Sequence, residues 1–329
     1  MISWLRRCNV SPPPSVRRTT RAPGLNLETL ESREVPAVLA YDTFAVDYSD
    51  DFQDSEVQLV DPYTGDEYLT PITPFEGYRG TLTVADGDVD GDGYDDVIVG
   101  ADGAGGHIKV FDGYNGALLD SYFAFPGFRG DVSLGAGDVN GDGYGDVIAV
   151  AEGVSGHVQV FDGYDGTLLH SFFAFPGFGG GVSVGAGDVN GDGYDDVIAA
   201  ADGRGGLIGV FDGYDGTLLH SFFAFPGFDG SVSVGAADFF GGGYDQIVVG
   251  AGGDGAGGRV AIFDADGSLY SPGFYAFPEF DGAIGVWAGD VDGDDIPDIV
   301  VDGWPGAPDG YVEAFSGGDF DSIYGFPTY

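Results

Sequence analysis

At 329 residues the chain can bury a sizeable core, and its 62 glycines beside 26 phenylalanines favour many short strands joined by tight turns over a disordered polymer. The formal charge of −43 excludes nucleic acid and anionic membrane surfaces as natural partners. A single cysteine, Cys8, excludes an internal disulfide, and no run of 18 apolar residues is present to span a membrane as a helix.

The charge is unevenly spread. Six of the eleven basic residues precede position 34, at Arg6, Arg7, Arg17, Arg18, Arg21 and Arg33. From residue 36 onward five basic residues face 51 acidic ones. An acidic body of this kind repels itself unless cations sit among its carboxylates. Residues 1–35 read as a basic tail: segment 9–24 is rich in proline, serine and arginine and has no hydrophobic period. No apolar stretch of secretory length follows Arg6 and Arg7. The segment LETLESREVPA (27–37) resembles the tag near the start of many exported bacterial repeat proteins, which implies export and cleavage near Ala37; the alternative is a short helix capping the first repeat.

The rest is repetitive. VFDGYDGTLLHSFFAFPGF runs from Val160 to Phe178 and again from Val210 to Phe228. Asp88, Asp138, Asp188 and Asp238 open equivalent loops 50 residues apart, and Asp290 follows after 52. The units are 36–80, 81–130, 131–180, 181–230, 231–282 and 283–329. The first is degenerate: VQLVDPYTGDEY (57–68) echoes IGVFDGYDGTLL, without the acidic loop and short of an innermost strand. Within 181–230 the spacing predicts strands at Val182–Ala186, Asp196–Ala200, Leu207–Phe211 and Leu218–Phe225, separated by glycine-rich turns. One such sheet cannot bury both faces, but stacked neighbours can. The expected fold is therefore all-β, a β-propeller of four-stranded blades, with six units suggesting six blades. A solenoid or an incomplete ring is the alternative.

Each acidic loop falls between the first and second strands of its unit. In DVNGDGYDD, side-chain oxygens recur at loop positions 1, 3, 5 and 9, namely Asp188, Asn190, Asp192 and Asp196, and Tyr194 can add a backbone carbonyl at position 7. Hard oxygen donors on a tight turn suit Ca2+, and suit magnesium or zinc less well. The loop is not an EF-hand, because position 12 is Ala199 in a predicted strand rather than a glutamate. The equivalent sets are Asp88, Asp90, Asp92, Tyr94 and Asp96; Asp138, Asn140, Asp142, Tyr144 and Asp146; and Asp290, Asp292, Asp294, Ile296 and Asp298, with Asp295 where glycine is usual. The loop at Asp238 carries Phe240, Gly242 and Gln246 at ligand positions and reads as dead. About four structural calcium ions follow, offsetting eight charges. The plain alternative is an acidic turn with no ion.

The segment VSVGAGDVNGDGYDDVIAAADG resembles the FG-GAP repeat of integrin-α-like β-propellers and many bacterial secreted proteins. The resemblance covers residues 81–329 and, faintly, 36–80. The family's GAP signature is blurred to GAD at Gly100–Asp102 and AAD at Ala200–Asp202. The likeness implies structural calcium in the acidic loops, with ligand binding left to other loops.

No catalytic constellation stands out. His107 and His157 are equivalent positions in successive repeats, as are His170 and His220, and repeated residues suit scaffolding better than catalysis. Phe173, Phe175 and Phe178, with Phe223, Phe225 and Phe228, are expected to fill the space between blades rather than stack on sugar. Tyr144, Tyr164, Tyr194 and Tyr214 lie in turns, better placed to meet a ligand. The expected function is a non-catalytic, calcium-stabilised binding or adhesion module, extracellular or at the cell surface. It would act as a monomer on a protein or glycan, without nucleic acid or a membrane span. The rivals are a lyase-like propeller enzyme acting on polysaccharide and a purely structural surface protein.

Overall fold

The structure is a computed structural model, and it describes residues 39–43, 55–60, 69–253, 255–278, 280–294, 296–303 and 311–327. The tail 1–35 and Asp295 lie outside the described residues. Among the described residues every regular element is a β-strand.

The first unit gives two strands, β1 (Leu39–Thr43) and β2 (Glu56–Val60), paired antiparallel. Five four-stranded antiparallel sheets follow. They are β3 (Leu82–Gly87), β4 (Asp96–Ala101), β5 (His107–Phe111) and β6 (Leu118–Phe123); β7 (Val132–Gly137), β8 (Asp146–Ala151), β9 (His157–Phe161) and β10 (Leu168–Phe173); β11 (Val182–Gly187), β12 (Asp196–Ala201), β13 (Leu207–Phe211) and β14 (Leu218–Phe223); β15 (Ser231–Ala237), β16 (Gln246–Gly252), β17 (Arg259–Phe263) and β18 (Leu269–Tyr275); and β19 (Ile284–Gly289), β20 (Asp298–Gly303), β21 (Tyr311–Phe315) and β22 (Ser322–Pro327). The fold is an all-β propeller with four-stranded blades. Blades adjoin in chain order through their first strands, β3 on β7, β7 on β11, β11 on β15 and β15 on β19.

The expected six blades are therefore five among the described residues, with unit 36–80 contributing a two-stranded sheet. Its β2 takes the place of a third strand, and among the described residues one bridge, Val57 to Ile72, marks where a fourth would run. Pro71 and Pro74 flank that bridge, and a proline has no N–H to donate to a sheet ladder. The turn after it is intact: Tyr78 N–H donates to Phe75 O at 3.0 Å, as Phe178 N–H does to Phe175 O at 2.9 Å.

Burial follows strand position. The second strands, such as DVIAVA in β8, are buried at every residue, as their unbroken apolar runs demand. The fourth strands are mostly exposed. First strands carry small residues where neighbouring blades converge. A Cβ on Gly185 would stand 2.9 Å from Val234 O, and one on Gly187 would stand 2.7 Å from the Ala236 methyl. The core lies between blades: Ile148, Val158 and Phe175 of one pack with Val184, Val197 and Phe211 of the next.

Two expected core positions change. Phe175 and Phe225 are buried, but Phe173 and Phe223 are each 53% exposed. The strand pleat turns their neighbours inward instead. Phe172 meets Phe211 of the next blade at 4.6 Å, and Phe222 meets Phe263 at 5.3 Å. Phe173 instead stacks on His157, whose Nε2 lies 2.9 Å from Ser171 Oγ; His107 repeats this with Phe123 and Ser121.

Candidate metal centres

In each acidic loop the first aspartate organises the turn. Asp188 Oδ1 accepts the N–H groups of Gly191 at 2.7 Å and Asp192 at 3.0 Å, and Oδ2 accepts that of Gly193 at 2.9 Å. Asp138 does the same for Gly141, Asp142 and Gly143. Asp192 Oδ1 accepts Tyr194 N–H, and Asp294 Oδ1 accepts Ile296 N–H. The ninth-position carboxylates are buried and tie the loop to the next hairpin: Asp96 Oδ2 accepts Val89 N–H at 3.0 Å, while Oδ1 accepts Gly113 N–H at 3.0 Å.

The convergence differs from loop to loop. Oxygens of Asp88, Asp90 and Asp96 lie within 4.8 Å of one another, as do those of Asp290, Asp292 and Asp294. Asp92 and Asp298 stand outside these groups. In the two intervening loops the amides of Asn140 and Asn190 reach the ninth-position Asp146 and Asp196, at 3.4 and 3.2 Å. Burial pushes Asp96, Asp146 and Asp196 up to about 7 and Asp298 up to about 6, and neighbouring loop carboxylates push the same way.

The donor set fits a hard cation. Asn140 Oδ1 and Asp196 Oδ2 are buried oxygens at ligand positions without a hydrogen-bond partner. The loop at Asp238 keeps its turn, with Gly242 and Gly243 N–H donating to Asp238. There Gln246 Nε2 donates to Tyr244 O at 3.0 Å, although its Oε1 is left unpartnered. A side-chain N–H thus joins positions 9 and 7, where the other loops carry a carboxylate at position 9. Restoring F240D, G242D and Q246D together is expected to add one bound calcium per chain, read by elemental analysis after gel filtration. An unchanged stoichiometry counts against the assignment of positions 3, 5 and 9.

Sequence reasoning missed the eighth position. Gly145 N–H donates to Asp88 O, Asp195 N–H to Asp138 O at 2.9 Å, and Asp245 N–H to Asp188 O at 2.8 Å. Asp195 Oδ2 also accepts Asp138 N–H at 2.8 Å. The loops that open at Asp138, Asp188 and Asp238 are thereby each clamped to the first residue of the loop before, whereas the loop at Asp290 has Pro297 at the eighth position and no N–H to donate. The backbone clamp needs only an N–H at that position, which glycine supplies at Gly145, so the sequence carries no residue-specific signal for it.

A second set of carboxylates lies at the opposite end of the blades. Asp102 and Asp202 accept N–H bonds from Val132 and Val232 of the following blades, each at 2.9 Å, and Glu152 accepts from Ser133 Oγ at 2.7 Å. Burial, with Asp202, Asp131 and Asp102 nearby, pushes Glu152 up to about 7. The folded protein holds this proton more firmly than the unfolded chain does. The contribution is full below the ordinary value of 4.5 and lost as pH rises through about 7. Glu152→Gln is expected to raise the melting temperature at pH 8 and to match the parent at pH 5. Equal melting at both values contradicts the buried-carboxylate account.

Residues 88–149 and 138–199 match the FG-GAP-like repeat, and residues 180–219 match the FG-GAP repeat. No curated protein matches the chain. Among solved structures, it is similar to the exotype rhamnogalacturonan lyase YesX, at 18% identity and a TM-score of 0.44, over 85% of this chain and 58% of that one. It is also similar to the V. cholerae biofilm matrix protein Bap1, at 19% identity and a TM-score of 0.39, over 76% of this chain and 39% of that one. The chain thus spans less than two thirds of either protein's length.

Proposed function

Residues 88–219 of this β-propeller match FG-GAP repeats, and we propose that the chain is a calcium-braced, non-catalytic binding module working outside the cytoplasm. The observation that carries the reading is the loop-to-loop clamp. Because Asp88, Asp138 and Asp188 each offer a backbone carbonyl to the following blade, an ion fixing one loop also fixes an interface between blades. Ions held by the sets that open at Asp88, Asp138 and Asp188 would brace the row of blades where no disulfide can. Sites of this kind in extracellular modules have affinities of about 10⁻⁴–10⁻³ M, matched to calcium-rich surroundings.

The basic side chains support the non-catalytic reading. Lys109 Nζ donates to Pro74 O at 2.8 Å and sits over Phe75, Arg204 sits over Phe178, and Arg259 over Phe225. Each braces the aromatic turn of a different blade, and they do not converge on one cleft. Among the described residues no helix is long and apolar enough to cross a membrane. A glycan and protein array probed with and without calcium tests the function. Calcium-dependent retention without turnover supports it, and release of unsaturated products from a polysaccharide overturns it in favour of a lyase.

A further inference from the structure

Beside the first three acidic loops the repeat places a tyrosine in the turn between the third and fourth strands of the blade. The two tyrosines of a blade are 20 residues apart in sequence, yet their rings meet. Tyr94 lies 5.1 Å from Tyr114, Tyr144 lies 5.1 Å from Tyr164, and Tyr194 lies 5.3 Å from Tyr214. The outer ring of each pair is far from buried, with Tyr114, Tyr164 and Tyr214 exposed by 57, 70 and 69%. Large aromatic area left in water on three successive blades contributes little to the core.

The pairs also connect from blade to blade. The ring of Tyr144 lies over Gly91 of the preceding loop, where an added Cβ would meet it at 2.7 Å, and Tyr194 lies over Gly141 in the same way at 2.9 Å. The fourth blade keeps the pattern by another route. Its loop has lost the third-position oxygen, and Phe240, standing there, stacks on Tyr270 at 4.1 Å with both rings exposed. A position released from metal duty has become aromatic. The result is a track of aromatic pairs on the loop face, with the exposed carboxylates of Asp165 and Asp215 in the adjoining turns of the second and third blades.

We propose that this track binds an extended, arginine-rich polypeptide segment, which deepens the binding-module reading and rests on it. A guanidinium stacks on an aromatic face and pairs with a neighbouring carboxylate, and the second and third blades offer both, at Tyr164–Asp165 and Tyr214–Asp215. A neutral sugar could stack on the rings and donate hydroxyls to the carboxylates, but it would leave their negative charge uncompensated, and an anionic polymer would be repelled by a chain carrying −43. Repetition along the blades suits a segment that presents several cations in series.

The test uses the calcium-loaded full chain and a labelled peptide of alternating arginine and serine, at physiological salt. Glutamate–serine peptide and neutral dextran serve as comparisons. The arginine peptide is expected to bind, and the Y114S/Y164S/Y214S variant, whose net charge is unchanged, to bind about tenfold or more weakly. The corresponding phenylalanine variant is expected to bind as the parent does. Should the triple serine variant lose its fold, Tyr164→Ser alone is expected to weaken binding about two- to fivefold. No binding, or equal binding by the serine variants, overturns the proposal and leaves only bulk charge. Dextran binding that disappears with the tyrosines also overturns it, in favour of a glycan surface. Melting of the same samples with and without calcium is scored separately. A chain indifferent to calcium that still holds the peptide through its tyrosines sinks the brace and not the track.

Discussion

Removing calcium with a chelator is expected to lower the melting temperature of this protein by about ten degrees or more, and adding excess calcium to restore it. At about 10 mM calcium, sites with affinities of about 10⁻⁴–10⁻³ M each add about 1.4–2.7 kcal/mol by mass action. Four independent sites then add about 6–11 kcal/mol, comparable with the whole stability of an ordinary domain. The effect is large because the loops are costly when empty. Asp96, Asp146 and Asp196 are buried carboxylates whose proton affinities burial has raised, and each sits among other acids. The clamps from Asp195 and Asp245 to the preceding loops carry the benefit across the blade interfaces. Calorimetry with and without chelator decides the matter. Identical scans would mean that the loops are acidic turns and nothing more.

Asp196→Ala is the second large expectation. Asp196 Oδ1 accepts the buried Gly213 N–H at 3.0 Å, so the substitution orphans a backbone donor as well as removing a ligand. The orphaned donor costs about 1–3 kcal/mol and the lost ion about 1.4–2.7, a total of about 2.5–5.5 kcal/mol in calcium. In chelator only the first part remains, so the gap between variant and parent should narrow. Gln246→Ala, at the same position of the dead loop, is expected to show no such calcium dependence. A gap of equal size in calcium and in chelator would assign Asp196 a purely structural role.

The corrections have physical causes that lie beyond local sequence. Six repeats imply six blades only if every unit keeps its ladder donors, and the prolines at 71 and 74 show where the first does not. Phe172 and Phe173 are adjacent identical residues. Which of them faces the next blade depends on the strand's pleat, and that is set by its pairing with β9, irregular between Leu168 and His170.

The sequence by itself determined the repeat, the strand order and the loop chemistry, because each is encoded within a window of about ten residues and copied at a fixed period. Strand limits drawn from Val182 to Phe211 agree with those observed to within one residue. Tertiary structure alone decided how the copies meet. The clamp from Asp195 to Asp138 joins residues 57 positions apart, and the tyrosine pairs form only when a loop and a hairpin turn fold to the same end of one sheet. Those contacts depend on the twist and spacing of neighbouring sheets, which no single repeat contains.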